Sequence, residues 1–192
     1  MTKPVLQIII GSTRPGRVGP TIANWFARRA VEHGGFEVEV LDLADFDLPL
    51  LDEPNHPRMA QYTKDHTKRW SEAVSRGDAY VLCTPEYNYS MPASLKNALD
   101  FLHNEWNDKA VAFLSYGGVS GGMRAVQALK HVTGPLRMYT TQMNVMIPFV
   151  QTKLSDNNAT FTSDEAVDQS VTATLDELLA LSTALDSLRA RV

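Results

Sequence analysis

Val5-Leu6-Gln7-Ile8-Ile9-Ile10-Gly11-Ser12-Thr13-Arg14-Pro15-Gly16-Arg17-Val18-Gly19-Pro20 is the stretch on which the fold turns. Residues 5–10 are a short, β-branched, nearly continuous apolar run that stops at Gly11, the pattern of a strand covered on both faces. A polar loop follows. Residues 21–33 then carry Ile22, Trp25, Phe26 and Ala30 at helical spacing, and Gly34-Gly35 ends the pattern as glycines past a helix do. Strand, tight loop and helix make a first βα unit.

The same alternation continues along the chain. Residues 36–41 predict a second strand, 79–84 a third, 110–115 a fourth and 144–148 a weaker fifth. Helices are predicted over 60–76, with a strongly charged face closed by Gly77-Asp78, and over 92–102 and 123–133. The last segment, 164–191, places Val167, Val171, Leu175, Leu178, Leu185 and Leu188 on one stripe, with Thr162 or Ser163 as its N-cap. Residues 45–58, rich in Pro and Asp, form a loop long enough to be a site lid or an oligomer contact. No internal repeat, low-complexity tract or linker interrupts the chain, so one domain over 1–192 is expected. Alternating strands and helices predict an α/β fold: a doubly wound, five-stranded parallel sheet of order 2-1-3-4-5 with helices on both faces. In that topology ligands bind beyond the carboxyl ends of the strands, where the strand order reverses.

Three loops leave those ends. The first, 11–20, combines glycines that let backbone approach a ligand with the hydroxyls of Ser12 and Thr13 and the cations Arg14 and Arg17, ahead of a helix start. A monophosphate suits it. It is neither a P-loop nor a Gly-x-Gly-x-x-Gly fingerprint, and a solvated βα loop is its plain alternative. The second, Pro85-Glu86-Tyr87-Asn88-Tyr89-Ser90-Met91-Pro92, is stiffened by prolines at both ends and offers two tyrosines as apolar walls. A flat heteroaromatic ring fits such a surface, and so does an interface; composition does not choose. The third, Ser115-Tyr116-Gly117-Gly118-Val119-Ser120-Gly121-Gly122, spends four glycines where backbone must come close to something.

At these loops the chain strongly resembles the NADPH-dependent FMN reductase family, a flavodoxin-like group that includes azo-dye, quinone and chromate reductases. The matching pieces are Gly-Ser-Thr-Arg-x-Gly-Arg, Pro-Glu-Tyr-Asn-x-Ser-x-Pro-x-x-Leu-Lys-Asn-Ala-x-Asp and Ser-Tyr-Gly-Gly-x-x-Gly-Gly, in family order over about 5–148. The resemblance implies that Ser12, Thr13, Arg14, Arg17 and Gly19 hold the FMN phosphate. It implies that Pro85, Glu86, Tyr87 and Asn88 line the isoalloxazine, chiefly through backbone groups, and that Ser115, Gly117 and Gly118 approach its other edge. Relatives commonly carry a serine near Gly19 or Pro20; this chain has none, which moves that phosphate contact to backbone N–H. The resemblance further implies NADPH or NADH as electron donor, a small acceptor such as a quinone, azo compound or flavin, and a homodimer or homotetramer in which the 45–58 loop partly serves a neighbour.

In such an enzyme the cofactor carries the hard step, so no catalytic side chain and no metal ligand is assigned. The histidines are scattered without metal spacing, Lys96 and Asp100 read as a surface pair, and Glu86 as structural. Trp25, Trp70 and Trp106 read as core or interface, and 64–69 as a solvated helix face. Composition agrees: 192 residues, 44% hydrophobic and 21% charged, describe an ordinary globular chain. A net charge of −4 gives no basic excess for nucleic acid or an anionic membrane. No apolar run reaches the roughly 18–20 residues of a membrane helix. The lone Cys83, within an apolar strand, and a start without a signal-peptide pattern suit the cytoplasm. Two other readings share the fold. A flavodoxin-type electron carrier has no substrate of its own, but such carriers are strongly acidic and lack arginines in the phosphate loop. A flavin-free regulatory or scaffold protein is the third.

Overall fold

The computed structural model describes residues 3–189. Its elements are β1 (Val5–Ile10), α1 (Gly19–His33), β2 (Glu37–Asp42), α2 (Asp65–Ser75), β3 (Ala79–Pro85), α3 (Ala93–Asp100), β4 (Lys109–Tyr116), α4 (Met123–Thr133), β5 (Met138–Thr140), β6 (Val145–Ile147) and α5 (Glu165–Arg189). Short 3₁₀ turns join several of them. The strands are all parallel, in the order β2-β1-β3-β4-β5, with β6 also on β4.

Strand pleating explains both cores. Leu6, Ile8 and Ile10 of β1, Val81 and Cys83 of β3, and Ala112 and Leu114 of β4 face α1 and α5. Their alternates, Ile9, Leu82, Val111 and Phe113, face α2, α3 and α4, where Trp70 and Trp106 are fully buried. Burial of each such large side chain contributes about 1.5–3 kcal/mol. That is why β1, β3 and β4 read as unbroken apolar runs. Val167, Val171, Leu175, Leu178 and Leu185 of α5 pack into the first core, with Leu188 partly buried against it. Trp25 lies in the same core.

Four elements differ from the sequence expectation. The helix predicted over 60–76 begins only at Asp65, because the Glu53 carboxylate, reaching in from the long loop, accepts the backbone N–H groups of Thr63 (2.8 Å) and Lys64 (2.9 Å) and turns the chain there. The first helix begins at Gly19 instead of residue 21, with Pro20 in its first turn. The predicted fifth strand, 144–148, is β6, which pairs with the end of β4, and a strand the sequence reading did not expect, β5, pairs with the start of β4. Between them Asn144 Oδ1 accepts the N–H of Phe113 (2.9 Å), and Glu177 of α5 accepts those of Gln142 (2.8 Å) and Met143 (2.7 Å). Side chains thus fill a gap in the ladder that no hydrophobic pattern marks. At the start of α5 the cap is Asp164, whose Oδ1 accepts the N–H of Val167 (3.0 Å), while Ser163 donates to Asp168 (2.8 Å). The last two residues of the predicted 164–191 helix, like the first two residues of the chain, lie outside the described residues.

Candidate functional site

The carboxyl ends of β1, β3 and β4 lie side by side: Ile10 is in register with Cys83, and Pro85 with Tyr116. Gly11 donates its N–H to the Cys83 carbonyl (2.8 Å), and a Cβ there would stand 2.8 Å from Leu95 Cδ2, so glycine permits the crossing. The loops beyond these ends enclose a cavity of about 390 Å³, lined by Arg14, Arg17 and Val18, by Pro85, Glu86 and Tyr87, by Tyr116, Gly117 and Gly118, and by Phe149, Val150, Gln151 and Thr152.

The first wall is built for an anion. No side chain caps the N-terminus of α1 and no acidic residue lies in its first turn, so its N–H dipoles keep their positive end open. Arg17 pairs with Asp42 at the end of β2 (2.5 Å), leaving its buried Nε without a partner among the described residues. Gly16 takes a φ of 70° at the bend. Gly19 lets the helix start lie against Tyr116, whose hydroxyl would stand 2.9 Å from a Cβ.

The second wall is rigid. Tyr87 and Ser90 exchange both backbone hydrogen bonds (2.9 Å each) around Asn88 (φ 48°) and Tyr89 (φ 69°), the two positive φ values of a type I′ turn. Tyrosine is unfavourable there, and the Arg124 guanidinium, 3.7 Å from the Tyr89 ring centroid, holds it. The Glu86 side chain, 7% exposed, accepts hydrogen bonds from Ser120 Oγ (2.9 Å), Arg124 N (3.1 Å) and Arg124 Nε (2.6 Å). Burial raises its pKa, but the bonds from Arg124 and Ser120 outweigh that and hold the carboxyl below its ordinary value. Glu86 is therefore an ionised cap on α4 that ties the second loop to the third. Ser12 Oγ and the Tyr87 hydroxyl, 2.7 Å apart, tie the first to the second.

The third wall is bare backbone. A Cβ on Gly118 would meet nothing within 4 Å, and one on Gly117 nothing nearer than 3.4 Å. A flat ligand can therefore lie directly on main chain. Segment 149–152 completes the enclosure: Phe149 N donates to Gly118 O (2.9 Å) and Val150 N to Gly117 O (3.0 Å).

Seven of the residues singled out from sequence line this cavity: Arg14, Arg17, Pro85, Glu86, Tyr87, Gly117 and Gly118. Five stand just outside it. Ser12 is buried beneath, on Tyr87. Thr13 faces a separate hollow with Leu43, Ser94 and Asn97. Gly19 lies in the first turn of α1, Asn88 at the turn tip, and Ser115 is buried with its hydroxyl on Gly121 O (2.8 Å). Val18, Tyr116 and the 149–152 segment escaped the sequence reading, as did Arg124. The segment was findable, since it follows the last strand's carboxyl end as the other loops follow theirs.

Other chemistry is absent among the described residues. No group of His, Cys, Asp and Glu is placed to hold a metal ion, and no helix is long and apolar enough to cross a membrane. Burial pushes the Cys83 thiol far above its ordinary pKa, which leaves it protonated and unreactive. The uncapped α1, the orphaned Arg17 Nε and the open space over Gly118 fit a phosphorylated planar group such as FMN: phosphate at the arginine-bearing bend, rings on the glycine backbone.

Comparison with known proteins agrees with this geometry. The family model described as NADPH-dependent FMN reductase matches residues 5–152. An NAD(P)H-dependent FMN reductase of Schizosaccharomyces pombe is 45% identical over 137 residues, 70% of this chain and 68% of the relative. An NADPH azoreductase of a Bacillus species is 33% identical over 128 residues, 65% of this chain and 66% of the relative. Among solved structures, a flavoenzyme NAD(P)H:(acceptor) oxidoreductase from Paracoccus denitrificans superposes with a TM-score of 0.74 at 21% identity, over 94% of this chain and 98% of that one, a likeness of fold.

Proposed function

The chain belongs to the NADPH-dependent FMN reductase family, and from that membership we propose an FMN-dependent NAD(P)H oxidoreductase acting on a small, soluble acceptor. FMN, when bound, supplies the two-electron chemistry that links a nicotinamide donor to the acceptor. With a quinone the net reaction is NAD(P)H + H⁺ + quinone → NAD(P)⁺ + hydroquinone, which balances two electrons and two protons.

The observation that carries this reading is the juxtaposition, in one cavity, of an anion-seeking bend with an unpaired arginine nitrogen and a side-chain-free glycine wall. Arg14 and Arg17 would hold the phosphate beside the open N-terminus of α1, with Ser12, Thr13 and Gly19 shaping the bend around them. Pro85, Glu86, Tyr87 and Asn88 border one edge of the ring system through main-chain groups, with Glu86 kept ionised by Arg124. Gly117 and Gly118 receive the other edge, and Ser115 acts beneath them by holding Gly121. No side chain is required as acid or base. One domain over 1–192, a homodimer or homotetramer and a cytoplasmic location belong to the same reading. The single sheet that both cores share supports the one domain, and the long loop carrying Leu50 at 83% exposure supports the oligomer.

Steady-state oxidation of NADPH and NADH with a quinone acceptor, with and without added FMN, tests it. Turnover that depends on FMN with at least one nicotinamide is the expected result. Protein that oxidises neither nicotinamide in the presence of FMN and quinone refutes the reading.

A further inference from the structure

Phe149 is the aromatic residue that segment 149–152 brings to the cavity, across from Tyr87 and Tyr116 on the other walls. It follows β6 and Pro148, takes φ 50° and ψ 43°, and leaves its side chain 56% exposed at the cavity. A bulky residue in the left-handed region is strained, and an exposed phenyl ring offsets little of that strain through burial. Folding therefore gains nothing from phenylalanine here that glycine or asparagine would not supply more cheaply.

The backbone at this position is over-determined. Phe149 N donates to Gly118 O (2.9 Å), Val150 N to Gly117 O (3.0 Å), and Thr152 N to Phe149 O (2.9 Å). The next side chain, Val150, is buried in the first core. Strain held in place by its surroundings at a ligand cavity points to a use for the side chain itself. The strained residue is bonded to the carbonyl of Gly118, the residue whose neighbourhood is open enough to take a flat ring. An aromatic face anchored to that backbone offers offset or edge-to-face stacking to a second planar molecule entering the same space.

Resting on the proposed function, we infer that Phe149 is a specificity-determining residue: its ring stacks on the incoming acceptor and biases the enzyme toward flat aromatic acceptors over non-aromatic ones. A quinone or aryl azo compound gains this contact. An acceptor such as ferricyanide, which offers no ring, does not. The contact concerns acceptor binding alone: the quinone balance given above is unchanged, and with ferricyanide, a one-electron acceptor, the balance is NAD(P)H + 2 ferricyanide → NAD(P)⁺ + H⁺ + 2 ferrocyanide.

The test compares wild type with Phe149→Leu, Phe149→Ala and Phe149→Gly, all loaded with FMN. The readout is the ratio of kcat/KM for 1,4-naphthoquinone to that for ferricyanide at fixed NADPH. Both acceptors draw on the same reduced enzyme, so altered FMN loading or donor oxidation cancels in the ratio. The ratio is expected to fall at least fivefold in all three variants. In parallel, the Kd for the redox-inert 2-naphthoate should rise at least threefold, and the glycine variant should melt no lower than the alanine variant because it releases the backbone strain. Phe149→Leu keeps an apolar side chain of similar reach and so separates ring stacking from mere bulk. A ratio unchanged in the alanine and glycine variants, or one that the leucine variant preserves, overturns the inference. If wild type turns over neither acceptor, the functional reading fails with it; if wild type turns over both and the ratio stays constant, the assignment to Phe149 fails alone.

Discussion

The Glu86 carboxylate sits at the N-terminus of α4 and accepts both the backbone N–H of Arg124 (3.1 Å) and its side-chain Nε (2.6 Å), so one acidic residue of the loop after β3 caps the helix that follows the loop after β4. The same guanidinium lies over Tyr89. Two walls of the cavity are thereby fixed relative to each other before any ligand arrives, and preorganisation of this kind lowers the ordering cost of binding.

Replacing Glu86 with Gln keeps the shape but removes the charge and presents N–H where an acceptor is needed. Loss of a buried, charge-assisted cap costs about 1–3 kcal/mol. Thermal melting of E86Q is expected at lower temperature than wild type, with FMN affinity reduced. Arg124→Lys keeps the charge but not the planar stack on Tyr89, and is expected to recover only part of the affinity lost in Arg124→Ala. Differential scanning fluorimetry and FMN titration of the variants measure both effects.

Two neighbouring glycines are expected to behave oppositely. A methyl group on Gly118 meets nothing within 4 Å, so Gly118→Ala folds with an unchanged melting temperature but loses FMN affinity at least tenfold, because the methyl stands where the ring would lie. Gly122 has φ 88°, and a Cβ there would stand 2.7 Å from that of Ser115 and 2.9 Å from Tyr116 N. Gly122→Ala is therefore expected to destabilise the protein itself, by about 1–3 kcal/mol. Chemical denaturation without ligand, beside flavin titration, separates the two.

Arg17 is expected to recognise phosphate and not the ring. In Arg17→Gln, affinity for FMN should fall by about tenfold or more, the scale of a charge-assisted hydrogen bond, while affinity for riboflavin should hardly change. Measuring both ligands on one variant guards against the destabilisation that follows from leaving Asp42 without its partner.

Acid should release the long loop. Burial raises the Glu53 pKa, but hydrogen bonds from Thr63, Lys64 and Thr67 outweigh it and hold the carboxyl at about 2, against an ordinary value of 4.5. A folded-state pKa below the unfolded one contributes stability that is complete above 4.5 and is lost as pH falls from there towards 2. The protection of the Thr63 and Lys64 amides, relative to the intrinsic exchange rate at each pH, is expected to fall across that window in wild type. In Glu53→Gln it should already be low at neutral pH.

Much of this was legible beforehand, for a physical reason. β1, β3 and β4 are buried on both faces, so Ile8 to Ile10 or Ala79 to Cys83 need only be continuously apolar to be read as strands. Loops at their ends follow from topology, which is why Arg17, Glu86 and Gly118 were found at one cavity. What escaped depends on single long-range hydrogen bonds. Glu53 sets where the helix ten residues on begins, and Asn144 replaces a strand's partner. Phe149 follows a strand that was read correctly, but no glycine- or arginine-bearing motif marked the loop after it. The Ser12 hydroxyl was read as suiting an anion and Ser115 was placed at the ring's edge by resemblance; the side-chain hydroxyls of both bond within the protein, to Tyr87 and Gly121.

The central claim is that one cavity holds the phosphate and the rings of a single flavin. Fluorescence titration of FMN and of riboflavin against the purified protein tests it most directly. Saturable quenching at one FMN per chain, with riboflavin at least tenfold weaker, is the predicted result. Flavin fluorescence that stays that of the free molecule, or equal affinity for the two ligands, would contradict it.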